Sequence, residues 1–211
     1  MKRYAGVDAT ARFDRERTML RLLRGVLPVA SVIESKLAPD DEARCLRMSH
    51  LDGVHGQELI DDGRAQPVLR SCGEILRQIQ SLPLSLVLPD EVHATSAVLV
   101  HGDFGPNNIL FDPRTDAVTG LLDWEFAHPG RPIEDLAWCE WIVRMHHPGH
   151  ARALDDLFAA YGDRPSWSQR QAEMVRRCQE LLDMPRQPSD ASDVAVKRWQ
   201  QRIRATESWT E

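Results

Sequence analysis

No run of apolar residues in this 211-residue chain approaches membrane-spanning length, and the start Met1-Lys-Arg-Tyr-Ala-Gly6 lacks the apolar core of a secretion signal. The expectation is a cytoplasmic protein with no membrane partner. Cysteine is sparse: Cys45, Cys72, Cys139 and Cys178 are widely separated and form no Cys-x-x-Cys pair. Reduced thiols are therefore expected rather than disulfides or a zinc site. Positive charge is in deficit as well, with 26 Lys and Arg against 32 Asp and Glu, a net charge of −6. That balance argues against nucleic acid or an anionic membrane surface as the main partner, and solubility accounts for it. Internal repeats and low-complexity tracts are missing too. What remains is an ordinary globular composition, 42% apolar and 27% charged, long enough for a sizeable core in one large domain or two small lobes.

The most informative stretch is Val98-Leu-Val-His-Gly-Asp-Phe-Gly-Pro-Asn-Asn-Ile-Leu-Phe111, followed by Gly120-Leu-Leu-Asp-Trp-Glu125. An apolar run at residues 97–100 delivers His101 and Asp103 into a loop that Gly102, Gly105 and Pro106 keep out of regular structure. A second apolar run leads out over residues 109–111. Residues 112–117 are turn-rich, so the chain should reverse and return along 118–122 to Asp123. Asp103, Asn108 and Asp123 would then converge at one end of a small sheet. Such a set suits phosphoryl transfer: Asp123 and Asn108 can give Mg²⁺ a carboxylate and a second oxygen, and Asp103 can accept the proton of an attacking hydroxyl. Two other readings compete with this one. Gly, Pro, Asn and Asp also make plain turn clusters. A His/Asp/Asp metallohydrolase would want a further ligand, which His128, His146 and His147 do not supply at ligand spacing.

His101-x-Asp103-x-x-x-x-Asn108, with Leu-Leu-Asp123-Trp after the hairpin, resembles the catalytic and metal-binding loops of the aminoglycoside phosphotransferase and choline kinase family. Gly130-Arg-Pro-Ile-Glu-Asp-Leu-Ala137 resembles that family's next motif. Three motifs in order and at the right spacing carry the resemblance. It implies an α+β, two-lobed protein-kinase-like fold with a shortened N-terminal β lobe over residues 1–50. A mainly helical C-terminal lobe over 51–211 would hold the catalytic hairpin at 98–125. It further implies ATP as co-substrate, Mg²⁺, and transfer of the γ-phosphoryl group to an alcohol of an aminoglycoside or other antibiotic, an amino sugar or a choline-like molecule. By the same resemblance Asp103 would be the base, Asn108 and Asp123 the metal ligands, and His101 a support for the loop. Asp135 would brace that loop.

Residues 12–26 read as a helix with Phe13, Leu20 and Leu23 on its apolar face and several arginines opposite. In the resembled family its glutamate, here Glu16, pairs with a lysine on the strand before it, here Lys2. Glu16 reads equally well as a solvated partner of nearby arginines, and Lys2 as a frayed end. The family's first strands, which carry a phosphate-covering loop, have no counterpart upstream of Lys2. A truncated, non-catalytic nucleotide-binding or regulatory scaffold is therefore the alternative to an enzyme. Residues 30–35 and 43–48 read as strands joined by a turn at 38–42. Residues 48–53 resemble the hinge, where backbone near Ser49 and Leu51 would meet adenine; a plain strand exit is the other reading. Further helices are expected at 67–80, where Leu69, Cys72, Leu76 and Ile79 should pack on the catalytic hairpin, and at 134–145, 151–161, 166–182 and 192–206. A loop is expected at 81–95.

Overall fold

The computed structural model describes residues 1–37, 44–87, 96–184 and 193–211. Its first sheet has the order β1-β3-β2, built from β1 (Lys2–Tyr4), β2 (Val32–Leu37) and β3 (Arg44–Met48), all antiparallel. Lys2 lies opposite Leu46 in this ladder, so it belongs to a strand rather than to a frayed end. The turn expected at 38–42 falls outside the described residues.

Between β1 and β2 runs α1 (Ala9–Leu23), which begins three residues earlier than its apolar spacing suggests and also ends three earlier. Arg24 leaves the helix at φ −59°, ψ 126°, and Gly25 follows at φ 81°, so the chain turns before Val26 can join. Phe13, Met19, Leu20 and Leu23 are buried on its inner face, and so is Glu16. An acid on an apolar face needs a partner, and this one has two, described below.

The second half opens with β4 (Val54–His55), α2 (Gly56–Asp61) and α3 (Ala65–Gln80). α3 starts two residues before Pro67. The first-turn N–H groups have no intrahelical partner, so proline is tolerated at the third position as well as the first. A short helix, α4 (Leu84–Val87), occupies part of the stretch expected to be loop.

Then come β5 (Val98–Val100), β6 (Ile109–Phe111) and β7 (Val118–Leu121). β6 and β7 form the expected hairpin, with β4 on its other side. β5 does not join it; it pairs antiparallel with β8 (His128–Gly130). The intervening loop makes its own turn, with Asn108 N–H donating to Gly105 C=O at 2.9 Å, and so carries the chain from one ladder to the other. Leu121 N–H also reaches back to Pro28 C=O at 2.8 Å, tying the hairpin to the segment below the first sheet.

The remaining elements are α5 (Ile133–His146), α6 (Leu154–Tyr161), entered through a 3-10 segment at Pro148–Ala153, α7 (Trp167–Asp183) and α8 (Asp193–Ser208). Ser166 and Gln169 form a reciprocal capping box that starts α7, and Gly162 stops α6 at φ 93°. α5 is buried on two sides. Leu136, Cys139 and Val143 join the main core, whereas Ala137, Trp138, Trp141 and Ile142 join a second cluster with Met174 and Cys178 of α7. Trp199 and Ile203 of α8 pack against that second cluster.

Leu69, Cys72, Leu76 and Ile79 are all buried, as the helical spacing requires. Their helix packs chiefly on α6, with β5 as a lesser neighbour and the hairpin not its main partner. Gly73 makes this close approach possible: a Cβ there would sit 2.3 Å from Leu157 C=O and 2.8 Å from Tyr161 N. Both atoms are backbone and cannot swing aside. Gly73→Ala is expected to lower the unfolding free energy by roughly 1–3 kcal/mol in a urea titration, through forced separation of α3 and α6. A change within error would show that the two helices slide apart at little cost.

Candidate active site

The loop from His101 to Asn108 is held from behind by one carboxylate. Asp135, in the first turn of α5, accepts from His101 N–H at 2.6 Å and from Gly102 N–H at 3.0 Å, and is 1% exposed. His101 is equally buried. Its Nδ1 receives Asp103 N–H at 3.3 Å, so Nε2 carries the proton and donates to Leu122 C=O at 2.8 Å. Burial pulls the His101 pKa down, which keeps the ring neutral, and its face lies 4.5 Å from the Trp124 ring. The histidine thus ties the loop to the return strand through both ring nitrogens.

Asp103, Asn108 and Asp123 do come together. Asn108 Nδ2 donates to Asp103 C=O at 2.8 Å and to Asp103 Oδ2 at 2.9 Å, which leaves the amide oxygen as the group Asn108 can offer a cation. Asp123 lies two residues past the end of β7, beside the start of β6, because Leu122 N–H donates to Asn108 C=O at 2.9 Å. It adopts a left-handed conformation, φ 67° and ψ 55°, uncommon for a residue with a Cβ. Burial raises the Asp103 pKa, while hydrogen bonds from Trp138 and Asn108 oppose that rise.

A cleft of about 490 Å³ lies between the first sheet and the hairpin. Lys2, Glu16, Ser49, Leu51, Asn108 and Asp123 all line it, and Ala30, Met48, Leu110 and Leu121 give it apolar walls. Lys2 Nζ lies 2.6 Å from Glu16 Oε2 and 3.4 Å from Glu125 Oε1, and pairs with Asp123 as well. Burial opposes the ammonium, but Glu16 and then Asp123 outweigh it and hold the Lys2 pKa above its ordinary value. Glu16 also accepts from the Tyr4 hydroxyl. It therefore faces the cleft, not the arginines of its own helix, and Arg17 pairs instead with Asp14 at 2.9 Å. Ser49 is less available than its position suggests. Its N–H donates to Ser31 C=O and its hydroxyl accepts from Ser31 N–H, both at 2.9 Å. A planar base in this stretch would therefore have the Ser49 carbonyl and the Leu51 backbone to meet.

Gly105 closes the loop against α5, where a Cβ would lie 2.4 Å from Ile142 Cδ1. A larger side chain at this position would have to displace Ile142.

Four contributing residues escaped the sequence reading. Trp138 Nε1 donates to Asp103 Oδ1 at 2.8 Å. It sits three residues past Asp135 on the same helical face, and that spacing was the available signal. Arg177 Nη2 donates to Gly102 C=O at 2.7 Å from α7, 75 residues away in sequence, and no local pattern marks it. Arg12 Nη1 donates to Glu125 Oε2 at 2.9 Å and Arg15 Nη1 to Glu125 C=O at 3.2 Å, which lock α1 to the segment after Asp123.

Known proteins resemble this chain in sequence over part of its length and in fold over most of it. The model of the phosphotransferase enzyme family matches residues 84–173. Among curated proteins, acyl-CoA dehydrogenase family member 10 of Mus musculus is 44% identical over 62 residues, which is 29% of this chain and 5% of that protein. Acyl-CoA dehydrogenase family member 11 of Gallus gallus is 48% identical over 40 residues, 19% of this chain and 5% of that one. The matched segments thus span about a twentieth of those relatives. Among solved structures, a thermostable mutant of aminoglycoside phosphotransferase APH(4)-Ia aligns over 94% of this chain and 85% of its own, with TM-score 0.71 and 17% identity. The GDP complex of aminoglycoside 2'-phosphotransferase-IIIa aligns over 96% and 84%, with TM-score 0.71 and 12% identity. APH(3'')-Id of Streptomyces rimosus, in complex with ADP and streptomycin, aligns over 81% and 84%, with TM-score 0.65 and 16% identity. The phosphotransferase enzyme family model thus matches the segment at residues 84–173, less than half of the chain, and the whole has the α+β, protein-kinase-like fold of the aminoglycoside phosphotransferases.

Proposed function

We propose that the protein is an ATP-dependent phosphotransferase that moves the γ-phosphoryl group to a hydroxyl of a small molecule. One observation carries this reading: a cleft with apolar walls has an ammonium, a carboxylate and an amide oxygen at one end, and a half-buried carboxylate one hydrogen bond beyond the amide. Adenine would lie between the Ala30/Met48 and Leu110/Leu121 walls, with the phosphates toward Lys2. Asp123 and Asn108 would hold Mg²⁺. The donor set fits that ion, because both are hard oxygens and an octahedral site completes itself with phosphate and water oxygens. Among the described residues no group of three His, Cys, Asp or Glu side chains is placed to hold a metal ion, as a self-sufficient protein cage would require. When bound, the ion would neutralise charge on the phosphate oxygens.

Asp103 then has the remaining task. Its carboxylate accepts the proton of the acceptor hydroxyl as the oxygen attacks, and its hydrogen bonds to Asn108 and Trp138 keep it oriented while it does so. Lys2, anchored by Glu16, holds the phosphate tail. The lobe boundary falls at residue 50, within the hinge, and the helices beyond residue 133 form the acceptor side. Free thiols at Cys45, Cys72, Cys139 and Cys178 suit the reducing, ATP-containing cytoplasm. The acceptor belongs to the class of small alcohols for which related folds were solved with streptomycin, hygromycin B or kanamycin.

Calorimetric titration of the purified chain with ATP, with and without Mg²⁺, tests the cleft; magnesium-dependent binding is expected, and a folded sample that binds neither form contradicts the proposal. Asp103→Asn should reduce turnover by about 10²–10⁴-fold with the Kd for Mg·ATP within about twofold of the parent. Equal loss of binding would remove Asp103 from the role of base. Asp123→Ala should weaken Mg·ATP about tenfold or more, and unchanged affinity would take Asp123 out of the metal site.

A further inference from the structure

Asp103 is gripped from a direction that the nucleotide cleft does not use. Asn108 reaches its Oδ2 from the same loop, whereas Trp138 reaches its Oδ1 from α5. The Trp138 ring is 6% exposed and lies flat on Trp141, with centroids 4.4 Å apart and planes 6° from parallel. Its other neighbour is Arg177 of α7, whose guanidinium carbon is 5.8 Å from the Trp138 centroid. Arg177 spends Nη2 on Gly102 C=O at 2.7 Å, and its Nη1 lies 3.4 Å from Glu180 Oε2. The guanidinium therefore touches both the loop that carries Asp103 and the ring that holds its carboxylate.

We propose that Trp138 and Arg177 are positioning residues: the indole N–H fixes the carboxylate plane of Asp103, and the guanidinium locks indole and loop together, so that one defined lone pair faces the acceptor hydroxyl. The inference rests on the reading of Asp103 as the base. Rotation of a carboxylate about its terminal bond is soft, with broad rather than staggered wells. One donor from the residue's own loop can follow that rotation. A second donor on the other oxygen, from a different helix, cannot follow it, and two fixed points define a plane. Trp141 blocks one face of the indole and Arg177 stands at the ring, so the N–H vector is set by packing rather than by solvent. The same guanidinium pulls on Gly102 C=O, while Gly102 N–H is already bound to Asp135, so the two successive peptide planes that lead into Asp103 are each pinned once. α7 thereby takes part in aiming a group that it never touches.

The experiment has two arms on the full chain. In ¹⁵N-labelled protein the Trp138 indole signal, identified as the one lost in Trp138→Phe, should exchange slowly with solvent and speed up at least about tenfold in Asp103→Ala and in Arg177→Met. An indole that exchanges freely in the parent, or one indifferent to both variants, overturns the clamp whatever the enzyme does. In the second arm phosphate release from Mg·ATP, with water as the acceptor, is compared among variants of matched thermal stability. Trp138→Phe keeps the ring stack but loses the donor, and should lower kcat about 10- to 100-fold with KM for Mg·ATP within about twofold. Arg177→Lys should retain more of the parental rate than Arg177→Met. Parental kcat in Trp138→Phe beside a dead Asp103→Asn would defeat the positioning role and leave the base assignment standing. Parental turnover in Asp103→Asn would defeat the base assignment and the catalytic consequence of the clamp together, with the indole exchange still deciding the clamp as structure.

Discussion

The buried carboxylate of Asp135 constrains everything else around the site. A charge with 1% exposure is tolerated only if its lone pairs are occupied, and burial pushes this carboxyl group's pKa up while His101 and the two loop N–H groups pull it back. Those two N–H groups belong to consecutive residues and so to two successive peptide planes, and Asp135 thereby fixes the backbone on both sides of His101, not merely a point. With both planes set, His101 faces Leu122 and the chain continues into Asp103. Because Asp135 also sits in the first turn of α5, the helix acquires its rotation from the same bond pair. Trp138, three residues on, is thereby aimed at the carboxylate of Asp103.

On the cleft side a single ammonium has a comparable role. Lys2 is shared among Glu16 on α1, Asp123 at the end of the hairpin and Glu125 beyond it. Arg12 and Arg15 add contacts from α1 to the same segment. The two halves of the fold meet through ion pairs around a nucleotide-sized space, where geometry is sensitive to the placement of each charge. Lys2 and Arg12 remain partly exposed, so their pairs are worth less as stability than as alignment.

Much of this was legible in the chain itself, and the reasons differ by residue. His101, Asp103, Asn108 and Asp123 lie within 23 positions, in a turn-and-strand pattern whose local chemistry fixes their relative placement. Lys2 and Glu16 were legible only through the resemblance, because the pattern of α1 alone fits a solvated glutamate as well. The pairing of β5 with β8 was not legible, since two three-residue strands carry too little pattern to choose a partner. The seating of α3 on α6 depends on the missing side chain of Gly73, and a glycine within a helix reads as a mild defect until the neighbouring backbone is seen. Arg177 is further still from prediction: its partner is a carbonyl oxygen, which every residue possesses. Ser49 shows the reverse case, a plausible contact whose N–H proves already engaged.

The division of α5 between two apolar clusters has a consequence for how such a protein can change. Leu136, Cys139 and Val143 face the core shared with α3 and the catalytic strands, while Trp138, Trp141 and Ile142 face α7 and α8. Substitutions in the outer cluster and in the main core share few partners, so their energetic costs should add rather than compound. Apart from Trp138, Ile142 and Arg177, which reach the loop of Asp103, the outer helices can therefore drift in sequence without disturbing the side chains that line the cleft. On the proposed function, partial insulation of this sort would let one chemistry be handed from substrate to substrate over evolutionary time.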